Sequence, residues 1–160
     1  MSPLQCKTAS AEITHSVDDL NRKFGGRTAY IRADFTDEAE RAGLIPALSE
    51  TYGAIDAVVH AADVPVDTLS AAFVPVETAV VLARALSEQL PKGKTGAFVQ
   101  IIRAADGFNG MLAQNALETF AEKYAIQNVR VCGVRADEKS VENILSALDN
   151  ALDASKIKSK

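Results

Sequence analysis

The stretch LARALSEQLPKGKTGAFVQII (82–102) decides the architecture, because it passes from a helix-like pattern into a strand-like one across a single turn. Up to Leu90 the apolar residues recur as on a helix; Pro91 and Gly93 break the pattern; Ala97 to Arg103 is then a short, largely apolar run of the kind that forms a parallel strand buried on both faces. Three more runs read the same way: TAYIRAD (28–34), IDAVVHA (55–61) and VRVCGVR (129–135), each bounded by Gly, Asp or Asn. Helical patterns fill the intervals. Thr36 is the expected N-cap of a helix in which Leu44, Ile45, Leu48 and Tyr52 recur until Gly53 ends it, with a kink at Pro46. Further helices are expected around 14–24, at 76–90 after Pro75, at 109–126, and from Val141 to Leu152. Alternating elements of this length predict a three-layer, Rossmann-like α/β domain, an open parallel sheet with helices on both faces.

Composition narrows the class. The chain has 160 residues, 48% of them apolar, which suits one domain over 1–152 followed by a flexible basic tail, 153–160. Net charge is -4 and the basic residues are dispersed until KIKSK, so no cationic face is expected to bind nucleic acid. Cys132 lies in an apolar run and reads as an inert thiol, and with Cys6 it fits a reducing compartment. The start MSPLQCKTAS has no basic segment leading into an apolar one, and no apolar run approaches the ~20 residues of a membrane span. A cytoplasmic protein without membrane attachment is the expectation.

Before residue 28 there is room for one strand, near Leu4 to Thr8, and one helix. The simplest sheet places that strand in the central lane, giving about five strands in the order 2-1-3-4-5, since an empty lane leaves backbone groups unsatisfied. A partner chain filling the lane is the alternative.

The segments GGRTAYIRADFTDEAE (25–40), YGAIDAVVHAAD (52–63), 82–102 and QNALETFAEKYAIQNVRVCGV (114–134) resemble the third through sixth strands of the short-chain dehydrogenase/reductase family, in order and approximate spacing. The framework is most similar to pteridine reductase-like members. The resemblance implies the fold, and it also marks where the family's functional groups belong. The family's glycine-rich turn lets backbone approach the pyrophosphate at a helix N-terminus; the matching stretch here, KTASAEITHS, has no glycine. The Asn-Asn-Ala-Gly after the fourth strand appears as His60, Ala61, Ala62 and Asp63, the following Asn aligns with Pro75, and the catalytic Ser falls at Arg103 or Ala104. In the Tyr-x-x-x-Lys relay, Gly110 stands for the Tyr and Gln114 for the Lys, which removes the proton donor. The resemblance therefore implies a truncated relative without catalytic residues and without a bound cofactor, NAD(P) included. Cofactor contacts are expected at most from Asp34, His60 and Asp63.

Asp34, His60, Asp63, Arg103, Asp106, Arg135 and Asp137 fall at strand carboxyl ends, where open α/β sheets bind ligands, and also where polar residues ordinarily meet water and cap helices. Asp34 reads as a helix cap before it reads as an adenine contact. His60 beside Asp63 has the make-up of an oriented base, yet no nucleophile elbow accompanies it, and the two histidines lack metal-ligand spacing. The family's oligomer interface is a bundle of the helices after the fourth and fifth strands. Here VPVETAVVLARALSEQL (74–90) is apolar around most of its circumference, so Val76, Val80 and Val81, with Ala113, Leu117 and Phe120 of the next helix, are the expected interface. The expected role is an assembly subunit, binding itself or an active relative. The alternatives are an oxidoreductase with a remodelled site and a small-molecule sensor using the strand-end pocket.

Overall fold

The computed structural model describes residues 11–26, 28–61, 67–136 and 140–153, without the side chains of residues 11–13, 24 and 140. The chain divides into two compact units, residues 1–34 and 35–160.

In the first unit, α1 (Ala11–Phe24) keeps Arg22 and Lys23 in its last turn, where cations complement the helix dipole. Asp19 receives His15 at 3.4 Å and Arg22 at 3.2 Å. Gly25, at φ 62°, ends the helix, and its N–H donates to the Asn21 carbonyl at 3.0 Å. The Asn21 side chain then brackets Thr28, donating to its carbonyl at 3.1 Å and accepting from its N–H. Residues 28–34 are irregular rather than the expected strand. A ladder needs a neighbour, and the backbone of Thr28 is engaged by Asn21. The strand expected near Leu4 to Thr8 lies outside the described residues.

The second unit alternates as predicted. Asp37, not Thr36, caps α2 (Glu38–Tyr52): its Oδ1 accepts the Glu40 N–H at 3.0 Å. The helix runs through Pro46 and stops at Gly53, at φ 87°. It is followed by β1 (Ala57–His60), α3 (Leu69–Gln89), β2 (Gly96–Ile102), α4 (Gly107–Lys123), β3 (Val129–Arg135) and α5 (Ser140–Leu152). Helix α3 begins at Leu69, well before the expected start at 76. Thr68 caps it, its Oγ1 accepting the Ala71 N–H at 3.2 Å, and Pro75 is taken into the helix interior.

The strands form a parallel sheet, β1-β2-β3, with Val58 opposite Phe98 and Phe98 opposite Val131. These are the last three lanes of the expected order, in sequence. All seven residues of β2 are buried, as its near-continuous apolar run requires. One face is covered by α2, α3 and α4: Ile45, Leu82, Leu86, Leu117 and Phe120 close over Phe98 and Val129. The Phe98 and Phe120 rings meet edge to face at 5.6 Å. On the opposite face, Val99, Ile101 and Val134 are covered by Ile144, Ala147 and Leu148 of α5. The result is a three-layer, Rossmann-like α/β arrangement. By length and apolar composition alone α3 would pass for a membrane span, but its Ala79, Ala83 and Leu86 are fully buried against the sheet and its neighbouring helices. It is a core helix.

Candidate functional site

The carboxyl ends of β1 and β2 bring together the most constrained polar groups. His60 closes β1, and its side chain lies inside, with only 3% of the residue exposed. Its Nδ1 is 2.8 Å from Oε1 of Gln100, which sits opposite it on β2 and is fully buried. The Gln100 amide nitrogen donates to the His60 carbonyl at 3.3 Å and to the Ile101 carbonyl at 2.8 Å. With both amide protons committed, Oε1 must face the imidazole, so Nδ1 carries the proton and donates while Nε2 holds a lone pair. Burial pushes the His60 pKa down, partly opposed by the Gln100 bond, so the ring is neutral at pH 7. Phe35 and Phe98 flank it, each with its ring centroid at 6.2 Å. Sequence reading paired His60 with Asp63, which lies outside the described residues. The partner in the structure is Gln100, and the available signal was one glutamine inside an otherwise apolar strand. Such a pair fixes a strand end; a ring this buried, beside an amide rather than a carboxylate, is not a solvent-facing base.

A second network ties β2 to α4 and β3. Gln114 accepts the Ala105 N–H at 3.1 Å and donates to Glu118 Oε1 at 3.3 Å; Arg135 reaches the same oxygen at 3.0 Å. The position assigned to the relay lysine is thus held by an amide that pins the β2–α4 connection, and Glu118, which sequence reading did not single out, is its hub. Gly110, assigned the tyrosine position, is buried within α4. Arg135, one of the charged residues expected at the strand carboxyl ends, is paired with Glu118. Asp106 occupies the N-cap position of α4 without a side-chain cap bond. Arg103 is exposed, as is Asp34 of the first unit, which does not cap α2; Asp63 and Asp137 lie outside the described residues. The positions assigned to the relay thus hold neither a tyrosine nor a lysine.

The expected interface residues are placed differently from the reading. Ala113, Leu117 and Phe120 are buried in this chain's own core, and Val76, Val80 and Val81 are half-buried, the first two packed against the core cluster. The helices were found correctly and their faces were not. On these two helices the large apolar side chains left exposed are Leu69 and Phe73 of α3 (Phe73 44% exposed) and Phe108 and Met111 of α4 (77% and 57%). Helices α3 and α4 pack on one another. Leu69 and Phe108 lie in the first turns of these helices, and Phe73 and Met111 follow at their fifth residues.

No protein-family model matches the chain, and no curated protein is similar to it. Solved structures are similar in fold. Alternative dihydrofolate reductase 1, FolM, of Brucella suis, in complex with NADP, matches with a TM-score of 0.61 at 23% identity over 76% of this chain and 58% of its own. The Brucella canis protein of that name, also complexed with NADP, gives 0.65 at 20% identity over 86% and 65%. A short-chain dehydrogenase of Streptomyces avermitilis gives 0.55 at 21% over 89% and 68%. The chain therefore has a short-chain dehydrogenase/reductase-like fold, and it spans 58% and 65% of the length of the two Brucella proteins. These structures also correct the expectation of no cofactor: proteins of this fold are found in complex with NADP.

Proposed function

We propose that this chain, built on a short-chain dehydrogenase/reductase-like fold, is an assembly subunit that lacks the hydroxyl-lysine relay and docks through α3 and α4 onto a second chain of the same fold, itself or an active relative. The observation that carries the reading is the outward set Leu69, Phe73, Phe108 and Met111. Four large apolar side chains left exposed near the starts of two helices that pack on one another support a protein contact there, and aromatic residues and Met are enriched at such contacts. Gly110 and Gln114 support the other half of the reading, since neither can exchange a proton with a carbonyl or alcohol oxygen at neutral pH. The test is light scattering after size exclusion. The unmodified protein is expected to exceed its 17.0 kDa monomer mass, and Phe73→Asp to reduce it to that mass, because an unpaired carboxylate in the contact costs several kcal/mol. A monomeric protein whose behaviour Phe73→Asp leaves unchanged would remove the support.

A second reading, an oxidoreductase with a remodelled site, is favoured by the NADP of the similar Brucella structures. The exposed Arg103, which follows β2, would face a nucleotide phosphate. Titration with NADPH followed by thermal shift tests binding, and oxidation of NADPH with a carbonyl substrate tests turnover. Binding without turnover fits an assembly subunit that keeps its nucleotide; turnover would put the remodelled enzyme first.

A further inference from the structure

An apolar cleft of about 410 Å³ runs along β1 beneath α2, lined among others by Phe35, Leu44, Leu48, Ile55, Val59 and His60. Among the described residues no charged side chain lines it, and the one polar side chain is His60, whose Nε2 is buried without a hydrogen-bond partner. The Gln100 bonds fix the polarity of that atom: Nδ1 is the donor, and Nε2 is left as an acceptor. A buried acceptor without a donor costs on the order of 1–3 kcal/mol, and a native fold rarely carries such a cost without a use for it.

We propose that this cleft is a binding site for a neutral, ring-sized, mostly apolar small molecule that presents one N–H or O–H group to Nε2 of His60. The volume lies within the range of small-molecule sites, and the lining matches an apolar ring. Phe35 and His60 both line the cleft, so a ligand seated in it lies against the imidazole. Burial holds the imidazole neutral, which keeps the lone pair available. The site is independent of the α3 and α4 patch, and the two proposals stand or fall separately.

Indole and 1-methylindole are the probes, because they share shape and differ in the one donor. Titration of the full-length protein labelled with ¹⁵N-histidine is expected to move the His60 Nε2 resonance with indole and to leave His15 in place. Indole is expected to bind about tenfold more tightly than 1-methylindole, the worth of one net hydrogen bond. His60→Phe is expected to abolish that difference. Should His60→Phe fail to fold, the two affinities and the nitrogen shift of the unmodified protein decide alone. Equal affinities, an unmoved Nε2 resonance, or no binding of indole at millimolar concentration would overturn the site.

Discussion

The two faces of the sheet are built unequally. Beneath α2, α3 and α4, Phe98 is fully buried among Leu82, Leu86 and Phe120, and the cluster extends from Ile45 to Val129. Beneath α5 the buried set is Val99, Ile101 and Val134, and α5 itself leaves Val141 and Leu145 exposed. The same strand, β2, supplies both cores by alternation, Phe98 to one face and Val99 to the other. Stability therefore resides mainly on the three-helix face, and that face also carries the outward patch of α3 and α4.

Truncating the two neighbours on β2 tests this directly. Phe98→Ala should cost about 3–5 kcal/mol, the range for a buried aromatic, whereas Val99→Ala should cost roughly 2 kcal/mol. Urea midpoints measure both, and a reversal of the order would break the comparison. Gly133→Ala should come next, at about 1–3 kcal/mol for overpacking. An added Cβ there would stand 2.9 Å from the Ala121 Cβ and 3.0 Å from the Ile102 Cδ1, so α4 has to lift from β3. Chemical denaturation would show it, and an unchanged midpoint would mean that α4 sits more loosely than its contacts indicate.

The pH response is smaller and belongs to the three-helix side. His60 faces Phe35, Phe98 and Gln100, all uncharged, and burial lowers its folded pKa below the unfolded value near 6.5. The unfolded chain then binds the proton more readily, so stability is complete above pH 6.5 and is lost as the pH falls from there through the folded pKa. Midpoints measured between pH 8 and 5 should fall in the unmodified protein, and the component belonging to this group should vanish in His60→Phe. An identical pH dependence in the variant would place the titration elsewhere. Arg135→Ala should have the least effect, below about 1 kcal/mol, because Arg135 is exposed where it meets Glu118.

The strands from residue 55 onward were legible because a buried parallel strand has to be apolar throughout: AFVQIIR and VRVCGVR matched β2 and β3 nearly residue for residue. TAYIRAD was legible only as β-prone sequence, and β-propensity does not supply the neighbour that makes a strand. The first turns of α3, and with them Leu69 and Phe73, fell outside the helix expected at 76–90. The interface residues chosen from apolar character alone, Ala113, Leu117 and Phe120, proved to be core, since periodicity marks an apolar face without saying whether sheet or partner covers it. The His60–Gln100 pair and the Gln114–Glu118–Arg135 network were not legible, because each joins residues that only the register and the packing of α4 bring together.

The central claim, that the α3 and α4 patch is covered by a second chain, is tested most directly by oxidation footprinting of Met111. In a single chain this side chain is 57% exposed, and its thioether should react with peroxide as an exposed methionine does. The account predicts that Met111 oxidises slowly at micromolar protein concentration, faster on dilution, and fast at every concentration in Phe73→Asp. Oxidation of Met111 at the rate of an exposed methionine, independent of concentration and unchanged by Phe73→Asp, would contradict it.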